Sequence, residues 1–370
     1  MPKRIIISGG GTGGHIYPAI AIANELKTLD PATEILFVGA EGKMEMEKVP
    51  RAGYTIVGLP VVGIKRELTL SNLLFPLKLG RSLLKAQSII RDFRPDVCVG
   101  VGGYASGPVL LAASLRGIPT LIQEQNSYAG LTNKVLARWA KRICVAYPGM
   151  DAFFPADKIK LTGNPVRSDI QLADRQVDAG RTLFGLDASR PTLLVIGGSQ
   201  GARTLNESME TGLQRLMDAG VQVIWQTGPV FIRSAGAERA QTAVNAIGSP
   251  LIKAYDFIYD MDKAYAVADA VVSRAGALSV SELCVVGRAA ILVPFPAATA
   301  DHQTKNAMSL VERNAAILVR DQDARSQLVT AALELLNNAP QRQQLSTQIK
   351  ALAKPNAARD IAQEVLNLCR

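Results

Sequence analysis

Three glycine-rich loops, each between a short β-branched run and a helical pattern, constrain the fold of this chain more than any other feature. They lie at 9–14 (GGGTGG), 100–107 (GVGGYASG) and 197–203 (GGSQGAR). Glycines in such turns adopt positive φ angles and let a phosphate approach the backbone N–H groups at the positive end of a helix. A single loop of this kind is weak support for nucleotide binding, but three of them predict more than one phosphorylated ligand.

Short apolar runs alternate with patterns of period 3.6 along the whole chain, and the alternation restarts near residue 192. The first helix is predicted over 16–29, and a hinge is predicted at the turn 163–165. This order predicts an α/β fold of two Rossmann-like, doubly wound parallel-sheet domains with an interdomain cleft for ligands. A last amphipathic helix is predicted over about 357–369, with no indication of where it docks. Strands are predicted at 5–7, 35–38, 97–101, 120–122, 192–196, 221–225, 270–273 and 290–293.

Composition excludes several classes of protein. Hydrophobic residues make up 48% of the 370 residues, which is too many for a disordered chain. No apolar stretch approaches the roughly 20 residues that span a bilayer, and the first apolar run ends at Gly9, too early for a signal peptide. The four cysteines form no CxxC pair, so we expect reduced thiols in a cytosolic protein.

The net charge of +9 is unevenly distributed, because residues 1–165 carry +8 of it. Its densest part is 63–94, where lysines and arginines alternate with leucines. This pattern is typical of a segment that lies on an anionic membrane, but it equally fits a core helix with a solvated basic face. Nucleic acid is a less favoured partner, because aromatic residues are only 5% of the chain.

A fourth strand-to-helix segment, 274–282 (RAGALSVSE), carries two serines that could donate to a phosphate. Glu282 could accept hydrogen bonds from a ribose diol, or it could be an ordinary acid in the first turn of a helix. His15 follows the first loop at the start of a helix, where the dipole favours the neutral imidazole that a general base needs. His302 is predicted to be a binding residue.

Metal binding is disfavoured. DxD patterns occur at 260–262 and 321–323, but neither follows a strand of the first nucleotide-binding fold. The chain contains no GxxxxGK[ST], GxSxG or HExxH motif, which argues against a P-loop ATPase, an α/β-hydrolase and a zinc protease.

Seven motifs together resemble the MurG family of bacterial glycosyltransferases. They are GGGTGGH (9–15), GVGGYASGP (100–108), EQNSYAGLTNK (124–134), GNPVR (163–167), GGSQGAR (197–203), GALSVSE (276–282) and DHQTKNA (301–307). The resemblance implies a GT-B fold and inverting transfer of GlcNAc from UDP-GlcNAc to lipid I, which forms lipid II in peptidoglycan synthesis. It implies an acceptor-binding and membrane-associating domain over 1–164, a UDP-GlcNAc-binding domain over 165–350 and a C-terminal helix within 351–370.

The same resemblance assigns roles to residues. His15 is the candidate base, and no cofactor or essential metal is implied. Ser199 and Arg167 would bind the donor diphosphate, Ile258 uracil, Glu282 the ribose, and His302 with Gln303 the GlcNAc hydroxyls. The remaining donor-binding residues implied are Thr12, Gly13, Gly14, Asn126, Ala277, Leu278, Ser279, Val280 and Ser281. The acceptor diphosphate would be bound by Gly102, Gly103, Tyr104 and Ser106.

The family resemblance also implies a location at the cytoplasmic face of the bacterial inner membrane, held peripherally through 63–94. Two other functions stay open from the sequence: a GT-B transferase with a different lipid acceptor, and a dinucleotide-binding protein.

Overall fold

The computed structural model describes residues 2–61, 75–234, 248–298 and 301–369. The chain folds as two compact units, one formed by Met1–Arg167 with Pro355–Arg370 and the other by Ser168–Lys354. Each unit is built around its own parallel sheet with helices packed on it, so the predicted α/β fold class is confirmed.

The sheet of the first unit has the strand order β3-β2-β1-β4-β5-β6-β7, and every neighbouring pair is parallel. The order changes direction between β1 and β4, whose residues pair from Ile5 with Val97 to Ser8 with Gly100. Ligands of doubly wound sheets bind at this kind of reversal, outside the carboxyl ends of the strands. The strands are β1 (Arg4–Ser8), β2 (Glu34–Ala40), β3 (Thr55–Leu59), β4 (Val97–Gly100), β5 (Thr120–Glu124), β6 (Arg142–Val145) and β7 (Ile159–Leu161).

Helices cover both faces of this sheet, and β1, β4 and β5 are therefore buried on both sides. The side chains of Ile5 and Ile7 pack with one layer of helices, and that of Ile6 packs with the other. The helices are α1 (Gly13–Leu29), α2 (Glu45–Arg51), α3 (Phe75–Phe93), α4 (Ser106–Leu115) and α5 (Leu131–Leu136), followed at the C-terminus by α15 (Ala357–Leu368).

The second unit repeats this plan with the strand order β10-β9-β8-β11-β12-β13, and its reversal lies between β8 and β11. Its strands are β8 (Thr192–Ile196), β9 (Gln222–Gln226), β10 (Ile252–Tyr255), β11 (Ala270–Ser273), β12 (Ala290–Leu292) and β13 (Ile317–Leu318). Its helices are α6 (Ser168–Gln171), α7 (Val177–Phe184), α8 (Arg203–Asp218), α9 (Pro229–Ser234), α10 (Met261–Val267), α11 (Ala277–Val286), α12 (His302–Val311), α13 (Ala324–Asn337) and α14 (Ala339–Ala351).

The final helix α15 belongs to the first unit, where it packs on α1. Ile361 and Val365 are fully buried in the cluster that contains Ile16 and Ile22. Glu364 forms ion pairs with Arg142 (2.8 Å) and Lys160 (2.6 Å). The chain therefore returns to its first unit after completing the second.

The eight predicted strands are present, and β3, β6, β7, β10 and β13 were not identified individually from the sequence. Two of these are only two or three residues long, and they lie at sheet edges where few side chains need burial. The four cysteines are free, as expected, and burial raises the pKa of the Cys144 thiol to about 12. Within the described ranges, no helix is long and apolar enough to cross a bilayer.

Candidate active site

The first two glycine loops lie against each other at the reversal between β1 and β4. A Cβ atom on Gly103 would lie 2.4 Å from the carbonyl oxygen of Gly10, and one on Gly9 would lie 3.2 Å from that of Gly102. Gly103 also has a φ of +84°. Only glycine satisfies both demands at Gly103, so the paired loops need their glycines for packing as well as for conformation.

His15 is the third residue of α1 and is half-buried. Its Nδ1 lies 3.0 Å from the carbonyl oxygen of Gly10 and 3.3 Å from Thr12 Oγ1. A carbonyl oxygen only accepts, so Nδ1 carries the proton in this bond and the lone pair of the neutral ring is on Nε2. The ring also reaches the second loop, because a Cβ on Gly102 would lie 2.8 Å from Nε2. The geometry thus favours the tautomer that a general base requires.

The second loop leads directly into α4. Ser106 is buried at the first position of α4, and its Oγ donates to the carbonyl oxygen of Gly103 at 2.9 Å. Tyr104 is 59% exposed at the tip of the loop. Gly102 has a φ of +89°, which turns the chain sharply before the helix. The predicted acceptor residues therefore share one loop, in which Ser106 braces the turn and Tyr104 faces solvent.

The loop 124–134, which follows β5, lies at the same carboxyl edge of the sheet and is organised by the buried carboxylate of Glu124. Its Oε1 accepts from the backbone N–H of Asn126 at 3.1 Å, and its Oε2 accepts from Gly130 N at 3.0 Å and Asn133 Nδ2 at 2.8 Å. Because β5 is the neighbour of β4, Asn126 follows the next strand along the same edge. Glu124 holds the loop closed, and Asn126 is held within it.

Buried amides link this edge to the predicted hinge. Gln125 Nε2 donates to the carbonyl oxygen of Val101 at 2.7 Å, and Asn164 Nδ2 donates to that of Gln125 at 3.0 Å. Gln123 Nε2 donates to Asn164 Oδ1 at 3.1 Å. The guanidinium of Arg167, which the family resemblance assigned to the donor diphosphate, lies 5.7 Å from the centre of the Tyr17 ring in the first unit.

In the second unit the loop 197–203 lies at the corresponding reversal. Gly201 has a φ of +78°, and a Cβ on it would lie 2.0 Å from the carbonyl oxygen of Thr227 after β9. The side chain of Gln226 connects this loop to Ile258, the residue predicted to contact uracil. Its Nε2 donates to the carbonyl oxygen of Gly198 at 2.9 Å, and its Oε1 accepts from the backbone N–H of Ile258 at 3.0 Å. Ser199 is half-buried in this loop.

The next strand of that sheet, β11, leads to α11, which begins at Ala277. Ala277, Leu278 and Ser279 form the first turn of this helix. The hydroxyl of Ser281 donates a hydrogen bond to the carbonyl oxygen of Ala277 at 2.9 Å. Glu282 stands in the second turn, so its assignment as an ordinary first-turn acid does not hold. Its Oε2 accepts from the hydroxyl of Tyr265 at 3.1 Å. Val280 is buried and anchors the helix.

The segment 301–307 forms the start of α12. Asp301 has a φ of +54°, and its carboxylate accepts from Thr304 Oγ1 at 2.6 Å. Gln303 Oε1 accepts from the backbone N–H of Phe295 at 2.9 Å, which fixes the orientation of its amide. His302 is half-buried at the first position of the helix. Gln303 and His302 are therefore adjacent at the carboxyl side of β12.

The first acid of each DxD pattern is already paired with a cation. Asp260 forms an ion pair with Lys263 at 2.6 Å, and Asp321 forms one with the buried Arg274 at 2.5 Å. Asp321 also accepts from Thr204 Oγ1 at 3.0 Å. Across the part of the chain that the structure describes, no three His, Cys, Asp or Glu side chains come together as a metal ion would need.

Sequence reasoning did not identify Glu45 or Arg274. Arg274 lies inside the quoted segment 274–282, and its guanidinium donates to the carbonyl oxygens of Val293 and Pro294. Glu45 is 34 residues from the glycine loop that it contacts, at Gly11. No local pattern marks such a contact, since it exists only when β1 and β2 are paired.

Comparisons with known proteins all point to one family. The family model described as "Glycosyltransferase family 28 N-terminal domain" matches residues 5–145, and the one described as "Glycosyltransferase family 28 C-terminal domain" matches 192–365. A relative from Cytophaga hutchinsonii is 53% identical over 99% of this chain and 97% of its own length. One from Bacteroides fragilis is 53% identical over 99% of this chain and 96% of its own length.

Both relatives are named UDP-N-acetylglucosamine–N-acetylmuramyl-(pentapeptide) pyrophosphoryl-undecaprenol N-acetylglucosamine transferase. Among solved structures, MurG from Acinetobacter baumannii superposes with a TM-score of 0.76 at 30% identity, covering 99% of this chain and 100% of that one. The resemblance to the MurG family is thereby confirmed. The chain belongs to glycosyltransferase family 28, in the group of N-acetylglucosamine transferases that includes MurG.

Proposed function

We propose that this protein transfers GlcNAc from UDP-GlcNAc to the C4 hydroxyl of the MurNAc sugar in undecaprenyl-pyrophosphoryl-MurNAc-pentapeptide, the conversion of lipid I to lipid II. The observation that carries this proposal is a glycine loop at the reversal point of each sheet. Two substrates that each contain a diphosphate need two such sites, and a dinucleotide enzyme needs one. The names of the relatives support the same donor and acceptor.

The second unit binds the donor in this proposal. The N–H groups of 197–201 and of the first turn of α11 bind the diphosphate, together with Ser199. Glu282 binds the ribose diol, because its carboxylate is held in place by the Tyr265 hydroxyl. Ile258 contacts the uracil, and Gln303 with His302 contacts the GlcNAc hydroxyls.

The first unit binds the acceptor. The N–H groups of the 100–107 loop bind its diphosphate, and Tyr104 borders the pyrophosphate from the exposed tip of that loop. His15 Nε2 takes the proton from the MurNAc C4 hydroxyl as that oxygen attacks the anomeric carbon of GlcNAc. Attack from the face opposite to UDP inverts the configuration and gives a β-glycosidic bond.

The departing UDP gains negative charge in the transition state. Backbone N–H groups and two helix N-termini stabilise this charge without reorganising, which is the role that a divalent metal has in other transferases. We propose that no metal is essential, because Asp260 and Asp321 are committed to Lys263 and Arg274. Activity is then expected to survive EDTA, and complete loss on chelation would contradict this part of the proposal.

A peripheral position on an anionic membrane is part of the proposal. On α3 the side chains of Ala86 and Ile90 face the core, whereas Leu79 and Leu84 are exposed beside Arg81. Residues 62–74, which include Lys65 and Arg66 of the basic segment 63–94, lie outside the described residues. The first unit carries another exposed apolar row on α5 and the turn after it: Leu131 (74% exposed), Val135 (49%) and Trp139 (43%).

The decisive test is transfer of radiolabelled GlcNAc from UDP-GlcNAc to a soluble lipid I analogue. Transfer to this analogue supports the proposal, and transfer only to another lipid or sterol would favour a different acceptor. Calorimetric titration distinguishes the dinucleotide alternative, because tight NADH binding without UDP-GlcNAc binding would overturn the proposal.

The role of His15 is tested in the same assay with His15→Ala. We expect kcat to fall about 10²–10⁴-fold, the usual contribution of a general base, with little change in the KM for UDP-GlcNAc. A variant that changes only the donor KM would make His15 a binding residue.

A further inference from the structure

Glu45 is a buried carboxylate beside the first glycine loop, with 1% of its surface exposed. Its Oε1 accepts from the backbone N–H of Ala40 at 2.9 Å, and its Oε2 accepts from that of Gly11 at 2.9 Å. Within the described ranges, its carboxylate has these two N–H groups as hydrogen-bond partners and forms no ion pair. Burying a charge without a cation is costly, so its place here calls for a physical reason.

Two glycines make room for this carboxylate. A Cβ on Gly10 would lie 2.1 Å from Glu45 Oε1, and one on Gly39 would lie 2.5 Å from Glu45 Cγ. Any other residue at either position would displace the side chain. The packing therefore sets the position of the carboxylate closely.

The peptide group that Glu45 contacts is the same one that holds His15. The N–H of Gly11 and the C=O of Gly10 belong to one planar peptide group. Glu45 Oε2 accepts from its N–H, and its carbonyl oxygen accepts from His15 Nδ1 at 3.0 Å. An anion bonded to the N–H increases the negative charge on the carbonyl oxygen, since hydrogen bonds in series polarise one another.

We propose that Glu45 is the positioning residue for His15 and acts through the Gly10–Gly11 peptide group. It holds Nδ1 as the donor, directs Nε2 as the base, and stabilises the imidazolium that forms when His15 accepts a proton. The arrangement does the work of a carboxylate bonded directly to a histidine, with a peptide group inserted between them. This inference rests on the proposed role of His15 as the base.

Other charged and titratable groups around His15 are committed elsewhere or stand at the edge of the site. Glu124 accepts from the 124–134 loop, and Arg167 lies over the Tyr17 ring. Tyr104 is exposed on the second loop. Glu45 is linked to His15 by the two hydrogen bonds that the Gly10–Gly11 peptide group forms, one at each end.

The experiment is a histidine NMR titration combined with kinetics, and it is favoured by the presence of only two histidines in the chain. The spectrum of a His302→Gln variant assigns the two sets of signals. In the full-length protein we compare Glu45→Gln with Glu47→Gln as the matched control, because Glu47 is exposed on the same helix and pairs with Arg51. Both changes remove one negative charge and keep the side-chain shape.

In Glu45→Gln we expect the pKa of His15 to fall by about half a unit or more, because the imidazolium loses its stabilising charge. We expect kcat to fall about tenfold, with the UDP-GlcNAc KM within about twofold and the acidic limb of the kcat profile shifted to lower pH. Glu47→Gln should leave all these quantities unchanged. A His15 pKa that does not differ between the two variants would overturn the proposal.

A measurement on the unmodified protein covers the case in which Glu45→Gln does not fold. The ¹⁵N shifts of neutral His15 should report a proton on Nδ1, and a proton on Nε2 would overturn the proposal. The tests also separate the two levels of inference. If His15→Ala retains turnover, His15 is not the base, whereas the NMR titration still decides whether Glu45 acts on it.

Discussion

At the scale of single residues, the site depends on positions where a Cβ atom has no room. Gly10 and Gly103 touch through their backbones, and Gly201 touches the carbonyl oxygen of Thr227 in the same way. The two contacts bring the loop after the first strand of each sheet against a neighbouring turn. Repeated use of this contact explains why the loops contain several glycines, when the φ angle alone would require fewer.

Gly103→Ala measures how much of the need for glycine at this position comes from the close contact with Gly10 and how much from the positive φ angle. Its control is Gly53→Ala, since Gly53 has a similar φ of +87° but nothing within 4 Å of the point where a Cβ atom would lie. The control should lose about 1–2 kcal/mol from the left-handed conformation alone. Gly103→Ala should lose clearly more, because Gly10 must also move, and it should lose transferase activity. If thermal unfolding shows the same loss of stability for Gly103→Ala and Gly53→Ala, the contact between Gly10 and Gly103 does not contribute to stability.

Glu207 is a residue whose contribution to folding stability depends on pH. Its carboxylate lies between Arg203 (2.8 Å) and Arg325 (2.5 Å), so it ties α8 to α13. Hydrogen bonding from Arg203, aided by Arg325, lowers the pKa of Glu207 below its ordinary value of 4.5. A lowered pKa means that the stabilisation is complete above pH 4.5 and is lost as the pH falls through the folded-state value.

We therefore expect Glu207→Gln to lower the free energy of unfolding by about 1–3 kcal/mol at pH 7 and by less at pH 4. Urea unfolding at the two pH values measures the difference. Glu334→Gln, an exposed acid on α13, is the control and should change stability by no more than about 0.5 kcal/mol. A loss for Glu207→Gln that is the same at both pH values would contradict the ionic explanation.

At the scale of elements, α15 completes the core of the first unit although it follows the second unit in sequence. The apolar face of α15 contains Ile361, Ala362 and Val365, all fully buried against α1. Glu364 adds ion pairs to strands β6 and β7. The helix therefore contributes both apolar burial and ion pairs to the first sheet. The last strand of that sheet ends at Leu161 and α15 begins at Ala357, so these contacts join distant parts of the chain.

Ile361→Ala should destabilise the first unit by about 2–5 kcal/mol, because it opens a cavity in a closely packed cluster. Hydrogen exchange measured peptide by peptide should show faster exchange in α1 and no change in α8. Gln363→Ala, on the exposed face of α15, is the control. Equal acceleration in both units would mean that they unfold as one cooperative body.

At the scale of the whole molecule, the distribution of charge matters more than its total. The +9 net charge lies almost wholly in residues 1–165, which also contain the loops proposed to bind the acceptor. A substrate with a lipid tail and a diphosphate is negatively charged and lies at a membrane surface. An excess of lysine and arginine in that part of the chain suits both properties.

Charge reversal of Lys78, Arg81 and Lys85 together should weaken binding to vesicles that contain anionic lipid, by roughly 1 kcal/mol for each cation near the surface. Binding of the unmodified protein should also weaken as salt increases. Reversal of Arg175, Arg313 and Lys354, exposed cations of the second unit, is the matched control. Co-sedimentation with vesicles measures all three proteins, and equal weakening by both triple variants would argue against a membrane role for α3.

Much of the fold was predictable because its signals are local. A β-branched run, a glycine turn and an amphipathic helix are each determined by neighbouring residues, and their repetition predicts parallel sheets. The helix α1 begins at Gly13, earlier than predicted, because glycine is a poor helix former and does not signal a helix start by itself. The positions of His15, Ser106 and Glu282 on their helices could be approximated in the same way.

The sequence by itself determined the α/β class, the glycine loops at helix starts and the family, because these depend on steric demands within a few residues. The tertiary structure alone decided that Gly10 meets Gly103, that Glu45 reaches Gly11, and that α15 returns to the first unit. Each of these contacts joins residues far apart in the chain. They form only when parallel strands bring distant loops to one edge of a sheet, and it is there that the site takes its geometry.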